Sequence, residues 1–169
     1  MRAISKRMSE VLGAHCANPT SRQIDEPLRE GCVIEIEDLL LDLTTDLGGA
    51  VVFARGAQCV SQTGTYDLDI IYGLSADGYN IFHRNNMYSG RIPDKTYTFG
   101  ESPTGDQFCI DKATGAVHYW VHDAANEDRG YVLISSSLED FLNRLAPDGA
   151  SDSEALEKSK KIISIDLSF

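Results

Sequence analysis

Apolar side chains recur along this chain with two spacings, alternate residues in some stretches and every third or fourth in others, and the changes between them mark out the elements. At 107–111 and 116–122, Phe108, Ile110, Val117, Tyr119, Trp120 and Val121 flank Lys112-Ala113-Thr114-Gly115. Aromatic and β-branched side chains suit a pleated, half-buried surface, so this pattern predicts a hairpin, with Gly115 at the φ > 0 position of the turn. An acidic loop runs from Asp123 to Gly130, after which Tyr131-Val132-Leu133-Ile134 predicts a third strand that Ser135-Ser136-Ser137 stops. Ser136 with Glu139 reads as a capping box. Behind it Leu138, Phe141, Leu142 and Leu145 fall at i, i+3, i+4 and i+7, which predicts a helix with one apolar stripe lying on the sheet.

A second helix is spelled upstream by Ile36, Leu39, Leu40, Leu43 and Leu47, with Gly48-Gly49 as its stop. Its opposite face carries Glu35, Asp38, Asp42 and Asp46 at the same period. Asp42 and Asp46 stand near the helix C-terminus, where the macrodipole disfavours an exposed negative charge by roughly 0.3–1 kcal/mol each. That cost points either to a functional surface or to the solvated face of an acidic protein. Ile4, Met8, Val11 and Leu12 predict a further helix over 1–13. Beyond Pro147, DGASDS reads as a linker, and the tail that follows carries Ile162, Ile163, Ile165, Leu167 and Phe169, which need cover. The expected organisation is an N-terminal helical extension over 1–19, a central domain over 20–146, and a linker and tail over 147–169. There is no internal repeat.

The order of these elements resembles the SUKH superfamily. The resemblance rests on a short helix around Ile24, Glu26 and Leu28, the leucine-rich helix ending in Gly-Gly, Asp69-Ile70-Ile71-Tyr72-Gly73-Leu74, and the late motifs. These motifs are Gly105-Asp106, the turn from Asp111 to Gly115, Val117 through Trp120, and Ser137 through Leu142. It spans about residues 20 to 145, and it departs from the family pattern at Gly31-Cys32-Val33-Ile34, where Leu-Pro is usual. The resemblance implies an α+β domain with a central antiparallel sheet, flanked by N-terminal helices and a C-terminal helix. It also implies kinship with bacterial immunity proteins that bind and neutralise polymorphic toxins, and with fungal and viral relatives.

With 169 residues the chain has length for one domain with a substantial core, and 24% charged residues is ordinary for a globular protein. Its formal charge of −11 is unevenly placed: between Asp25 and His83, eleven acids stand against only Arg29 and Arg55. Such a field argues against nucleic acid as a partner and for a basic protein whose approach it would speed. No apolar run approaches the roughly 20 residues a membrane helix needs, and the opening MRAISKRMSEVLGAH lacks a secretory apolar region. A cytoplasmic location is expected. Cys16, Cys32, Cys59 and Cys109 fall in no Cys-x-x-Cys pair, so reduced thiols are expected rather than a zinc or redox site. Cys109, between Phe108 and Ile110, should face the other side of its strand.

Catalytic and cofactor motifs are lacking. His118 and His122 have a helical metal-ligand spacing but sit in strand sequence, where their side chains would stand roughly 13 Å apart at about 3.3 Å per residue, too far to share a metal. Gly100 through Asp106 has phosphate-loop glycine spacing with Asp in place of the required lysine and a strand following. His83, Arg84, Asn85 and Asn86 read as a polar loop. Asp67 and Asp69 alternate on one strand face and read as surface charge. No nucleophile elbow, Cys-His signature or dinucleotide fingerprint occurs. No metal and no cofactor is expected.

Three places qualify as partner-binding surface: the stripe Glu35, Asp38, Asp42 and Asp46; the run around Tyr66, Asp67 and Asp69, an aromatic beside charges; and the loop bearing Asp123, Glu127 and Asp128. The reading is a non-catalytic binding domain, an immunity protein that occludes a basic toxin. The alternatives are a scaffold or regulatory interaction module and a small hydrolase built on His83, His118 and Asp69.

Overall fold

The computed structural model describes residues 2–20, 34–124 and 130–149. Its elements are α1 (Ala3–Leu12), β1 (Ala14–Cys16), α2 (Asp38–Leu47), β2 (Val51–Phe53), β3 (Gln58–Ser61), β4 (Gly64–Asp67), β5 (Ile70–Ile71), α3 (Ile81–Met87), β6 (Thr96–Glu101), β7 (Gln107–Asp111), β8 (Val117–Trp120), β9 (Tyr131–Ser135) and α4 (Leu138–Arg144). Seven strands form one antiparallel sheet in the order β1-β2-β5-β6-β7-β8-β9, and β3 with β4 forms a separate hairpin. The fold is therefore α+β, as expected. The expected short helix around Ile24 and the C-terminal tail fall largely or wholly outside the described residues.

Alternation across β7 sets up two cores. Phe108 and Ile110 face the main one, shared with Met8 and Leu12 of α1, Leu40 and Leu43 of α2, and Leu138, Phe141 and Leu142 of α4. Cys109 faces the other way, into a small cluster with Ile92 and Trp120 against which Tyr88 and Tyr131 pack. The segment leading from α3 to β6 thus supplies cover that the sequence pattern did not assign to Cys109. In the main core Phe99, Phe108 and Phe141 meet edge-on or tilted, with centroids 5.4–6.3 Å apart, which favours specific packing beyond area burial.

The N-terminal segment is part of this architecture. α1 ends at Gly13, whose φ of 65° suits glycine at a helix stop, and β1 pairs with β2 at the sheet edge. Arginines join the helix ends to distant elements. Arg7 of α1 donates to the carbonyls of Leu142, Asn143 and Leu145 at 3.0, 2.8 and 2.9 Å, and Arg55 donates to Glu10 and Val11. Both satisfy carbonyls that a helix C-terminus leaves without intrahelical partners.

Three local expectations need correction. The cap of the last helix is Ser137 rather than Ser136, and its hydroxyl accepts from the Asp140 N–H at 3.1 Å. The shift follows from a bulge at Val117/His118 that lets β9 extend to Ser135, paired with Val117. Asp140, not Glu139, then lies at the third helical position, and its carboxylate accepts from Ser135. Residues 83–86 belong to α3, capped by Asn80, whose side chain accepts from Phe82 and His83 N–H. A seven-residue helix is too short for its periodicity to show in sequence. Finally, Asp67 ends β4 and Asp69 precedes β5, so the two do not share one continuous strand.

Asn85 has a structural task. β6 carries a bulge between Thr98 and Gly100, which interrupts the ladder. Asn85, 4% exposed, satisfies the Thr98 main chain on the side facing away from β7: its amide donates to Thr98 and Ile81 carbonyls, both at 2.8 Å, and its carbonyl accepts from Thr98 N–H at 2.8 Å. Close approach also fixes Gly73, where a Cβ would stand 2.4 Å from the Ala50 nitrogen.

Candidate functional site

The acidic stripe divides into two halves. Glu35 and Asp38 are exposed and line an open groove of about 490 Å³ with Ile36, Glu37 and Lys112. Within that groove burial raises the Glu37 carboxyl above its usual range. Asp42 instead forms an ion pair with Arg2, and Asp46 accepts from the Arg2 main-chain N–H at 2.7 Å and the Ser5 hydroxyl at 2.8 Å. These two bonds, the Arg2 N–H first, hold the Asp46 carboxyl below its ordinary value. The unfavourable dipole position of Asp42 and Asp46 is thus compensated by α1. Those acids seat the N-terminal helix on α2, while Glu35 and Asp38 face outward.

The second surface is similarly mixed. Tyr66 is half-buried, its ring tilted against Tyr119 at 4.7 Å between centroids and its hydroxyl donating to Thr63. Asp67 is exposed and accepts from the Gln58 amide at 2.8 Å. Asp69 is exposed too, and its main-chain N–H donates to the Glu101 carbonyl. Tyr66 therefore anchors the β3–β4 hairpin, leaving the two carboxylates outside.

In the third place Asp123 is exposed, while Glu127 and Asp128 lie outside the described residues. Beside Asp123, the turn after β6 brings up Asp106, which accepts from Tyr119 hydroxyl at 2.9 Å, Thr104 hydroxyl at 3.0 Å, and both the main-chain N–H and the ring nitrogen of His122, at 3.1 and 2.8 Å. Burial by itself would raise the Asp106 carboxyl, but these bonds, His122 foremost, outweigh it and hold it low. One ligand atom each from Asp106, His122 and Asp123 lies within 4.8 Å of the others. The sequence pairing of His118 with His122 missed this trio, because Asp106 reaches His122 only through the fold. Asp106 already has four internal donors and serves to close the turn, so the trio is not assigned a metal. His118 stacks on Tyr131 at 4.4 Å and 6° between planes, and burial lowers its pKa.

Sequence reading also missed a polar network behind the sheet. Arg84 pairs with Glu101 at 3.0 Å, its guanidinium lying 5.2 Å from the ring centres of both Tyr72 and Tyr79. The Tyr72 hydroxyl reaches Glu101 and Gln107, each at 2.8 Å, and burial first, then Glu101, raises its pKa. Nearby, Arg91 lies 5.6 and 5.8 Å from the ring centres of Tyr88 and Trp120, at a notch of about 260 Å³ that also includes Tyr131 and Pro93. The residues of the hydrolase alternative lie on three separate elements: His83 on exposed α3 surface, His118 on β8, and Asp69 ahead of β5.

An antiparallel sheet backed by helices, with carboxylates displayed outward at its margins, is the α+β architecture of this chain. The chain belongs to the SMI1/KNR4 family (SUKH-1), which it matches over residues 34–144. Members of this family are commonly immunity proteins. The chain is also similar to the SPbeta prophage-derived uncharacterized protein YokK of Bacillus subtilis (strain 168), at 29% identity over 75 residues, covering 44% of this chain and 39% of that protein. The chain thus matches about two fifths of the length of that relative. No solved structure matches it. Among the described residues no helix is long and apolar enough to cross a membrane.

Proposed function

We propose that this chain is a cytoplasmic, non-catalytic immunity protein that binds a basic toxin stoichiometrically and covers its working surface. Membership of a family whose members are commonly immunity proteins carries the reading. Electrostatics support it. Glu35, Asp38, Asp67, Asp69 and Asp123 are exposed, on a chain of formal charge −11, so a cationic cleft would be drawn toward it and nucleic acid repelled. Within the stripe, Glu35 and Asp38 would meet the partner, whereas Asp42 and Asp46 support the scaffold.

The test is association of the purified chain with the product of the gene beside its own. Neutralising Glu35, Asp38, Asp67 and Asp69 to their amides should slow association at least ten-fold at low salt and flatten its salt dependence, with little change in the dissociation rate. Unchanged kinetics at every ionic strength would remove these carboxylates from the interface. Failure of the neighbouring product to bind at micromolar concentration would count against the immunity role itself.

A further inference from the structure

β9 lies at the end of the seven-stranded sheet and, among the described residues, pairs only with β8. The Val121 N–H donates to the Gly130 carbonyl at 2.7 Å, and this sets the alternation of the ladder. With Tyr119 opposite Val132, that pair exchanges main-chain bonds, while the N–H and C=O of Tyr131 and Leu133 point away from β8, toward the open edge.

Soluble proteins usually blunt such an edge with lysines, prolines or inward charges. Here Tyr131-Val132-Leu133-Ile134-Ser135 has none of these, and the central Leu133 is 55% exposed. The C-terminal half is blocked: Arg144 donates to the Ile134 carbonyl at 2.7 Å and to the Val60 carbonyl at 3.0 Å, tying β9 to the β3–β4 hairpin. The space between the hairpin tip and β9 is an open groove of about 560 Å³ whose lining includes Thr63, Leu133, Ser135 and Asp140. Open main-chain groups, an exposed leucine and an adjoining groove together match what strand addition uses.

We propose that the Tyr131–Leu133 edge of β9 is a docking edge that takes one extended segment of a basic partner protein as an eighth strand. The charge of the protein selects this occupant. Exposed Asp123 precedes β9 and exposed Glu139 follows it, while Asp140 is already paired with Arg144 at 3.0 Å, so Asp123 and Glu139 favour lysine or arginine flanking an apolar segment at either end. A second copy, bringing the same acids to the same edge on a chain of charge −11, is disfavoured. Four main-chain bonds, two each at Tyr131 and Leu133, would form, and Leu133 would be covered. The proposal rests on the protein-binding reading and specifies how that binding is made.

The probe is a synthetic peptide of alternating valine and threonine with two lysines at each end, titrated into the isotope-labelled full chain and followed by amide NMR. The expected result is saturable shifts at Tyr131 and Leu133 with contacts from peptide Hα atoms to β9, and at least ten-fold weaker binding when alternate peptide nitrogens are methylated. Leu133→Pro should weaken binding by a similar factor: the Leu133 N–H faces outward, so its loss costs no bond to β8. Should that variant unfold, the methylated peptide still decides the matter. Absence of binding overturns the proposal. So does binding insensitive to methylation with shifts confined to Glu35 and Asp38, which would leave the protein-binding reading intact as a purely electrostatic surface. Equal binding of a glutamate-flanked peptide overturns the basic partner, and a dimeric mass with Tyr131 and Leu133 protected before peptide is added would assign the edge to a second copy.

Discussion

Asn85 lets the fold be tested at a single side chain. Asn85→Ala removes both partners of the Thr98 peptide group at the β6 bulge, which is buried in the sheet. Each stranded buried donor or acceptor costs about 1–3 kcal/mol, so the expected loss is about 2–6 kcal/mol. That is a large share of the roughly 5–15 kcal/mol typical of a domain. Asn85→Asp is the sharper variant, because it keeps the acceptor for Thr98 N–H but sets a carboxylate oxygen against the Thr98 and Ile81 carbonyls. Burial and that repulsion raise the folded pKa of the new carboxyl above its unfolded value of about 3.9. The native state therefore binds the proton more tightly, and the variant's relative stability is greatest below the unfolded pKa and falls as pH rises through the folded one. Urea unfolding of the wild-type chain and both variants, compared at matched pH from about 3 to about 8 so as to span the unfolded value of about 3.9, measures this. A loss below about 1 kcal/mol for Asn85→Ala at unchanged m-value, or an Asn85→Asp deficit that grows as pH falls, would refute the assigned hydrogen bonding.

Other expectations follow from the same structure. Asp46→Asn should destabilise the chain at neutral pH; because the folded pKa of Asp46 is depressed, its contribution is present above the unfolded value of about 3.9 and is lost as pH falls through the folded one, so the wild-type and variant unfolding curves should converge in acid. Arg7→Met strips donors from three carbonyls at the end of α4 and should cost on the order of 2 kcal/mol, with faster amide exchange at residues 142–145 as its signature. Gly73→Ala forces a Cβ onto the Gly49–Ala50 backbone and should cost about 1–3 kcal/mol, read as a lowered Tm; an unchanged Tm would show that the two segments do not approach so closely. By contrast, Glu35→Gln with Asp38→Asn should leave stability within about 0.5 kcal/mol, since both groups are exposed.

Much of the framework follows from local chemistry. The periodicity of Leu39, Leu40, Leu43 and Leu47 with its glycine stop, and that of Leu138, Phe141 and Leu142, marks helices because burying one stripe is what stabilises them. Gly115 adopts φ of 71° at the hairpin turn, the conformation its position requires. The charge excess is likewise plain in the composition. Long-range geometry decided the rest. Whether an acid faces a partner or the chain's own N-terminus depends on where α1 docks, and this separates Glu35 and Asp38 from Asp42 and Asp46, which share one sequence period. Asn85 acquires its task only because the fold sets α3 beside Thr98 of β6. Asp106 meets His122 across 16 residues, a separation at which no local pattern operates. Among the described residues β9 is an edge because of strand order, and strand order is a property of the whole sheet: sequence determines which residues form strands, while tertiary pairing alone leaves the Tyr131 and Leu133 peptide groups facing away from β8.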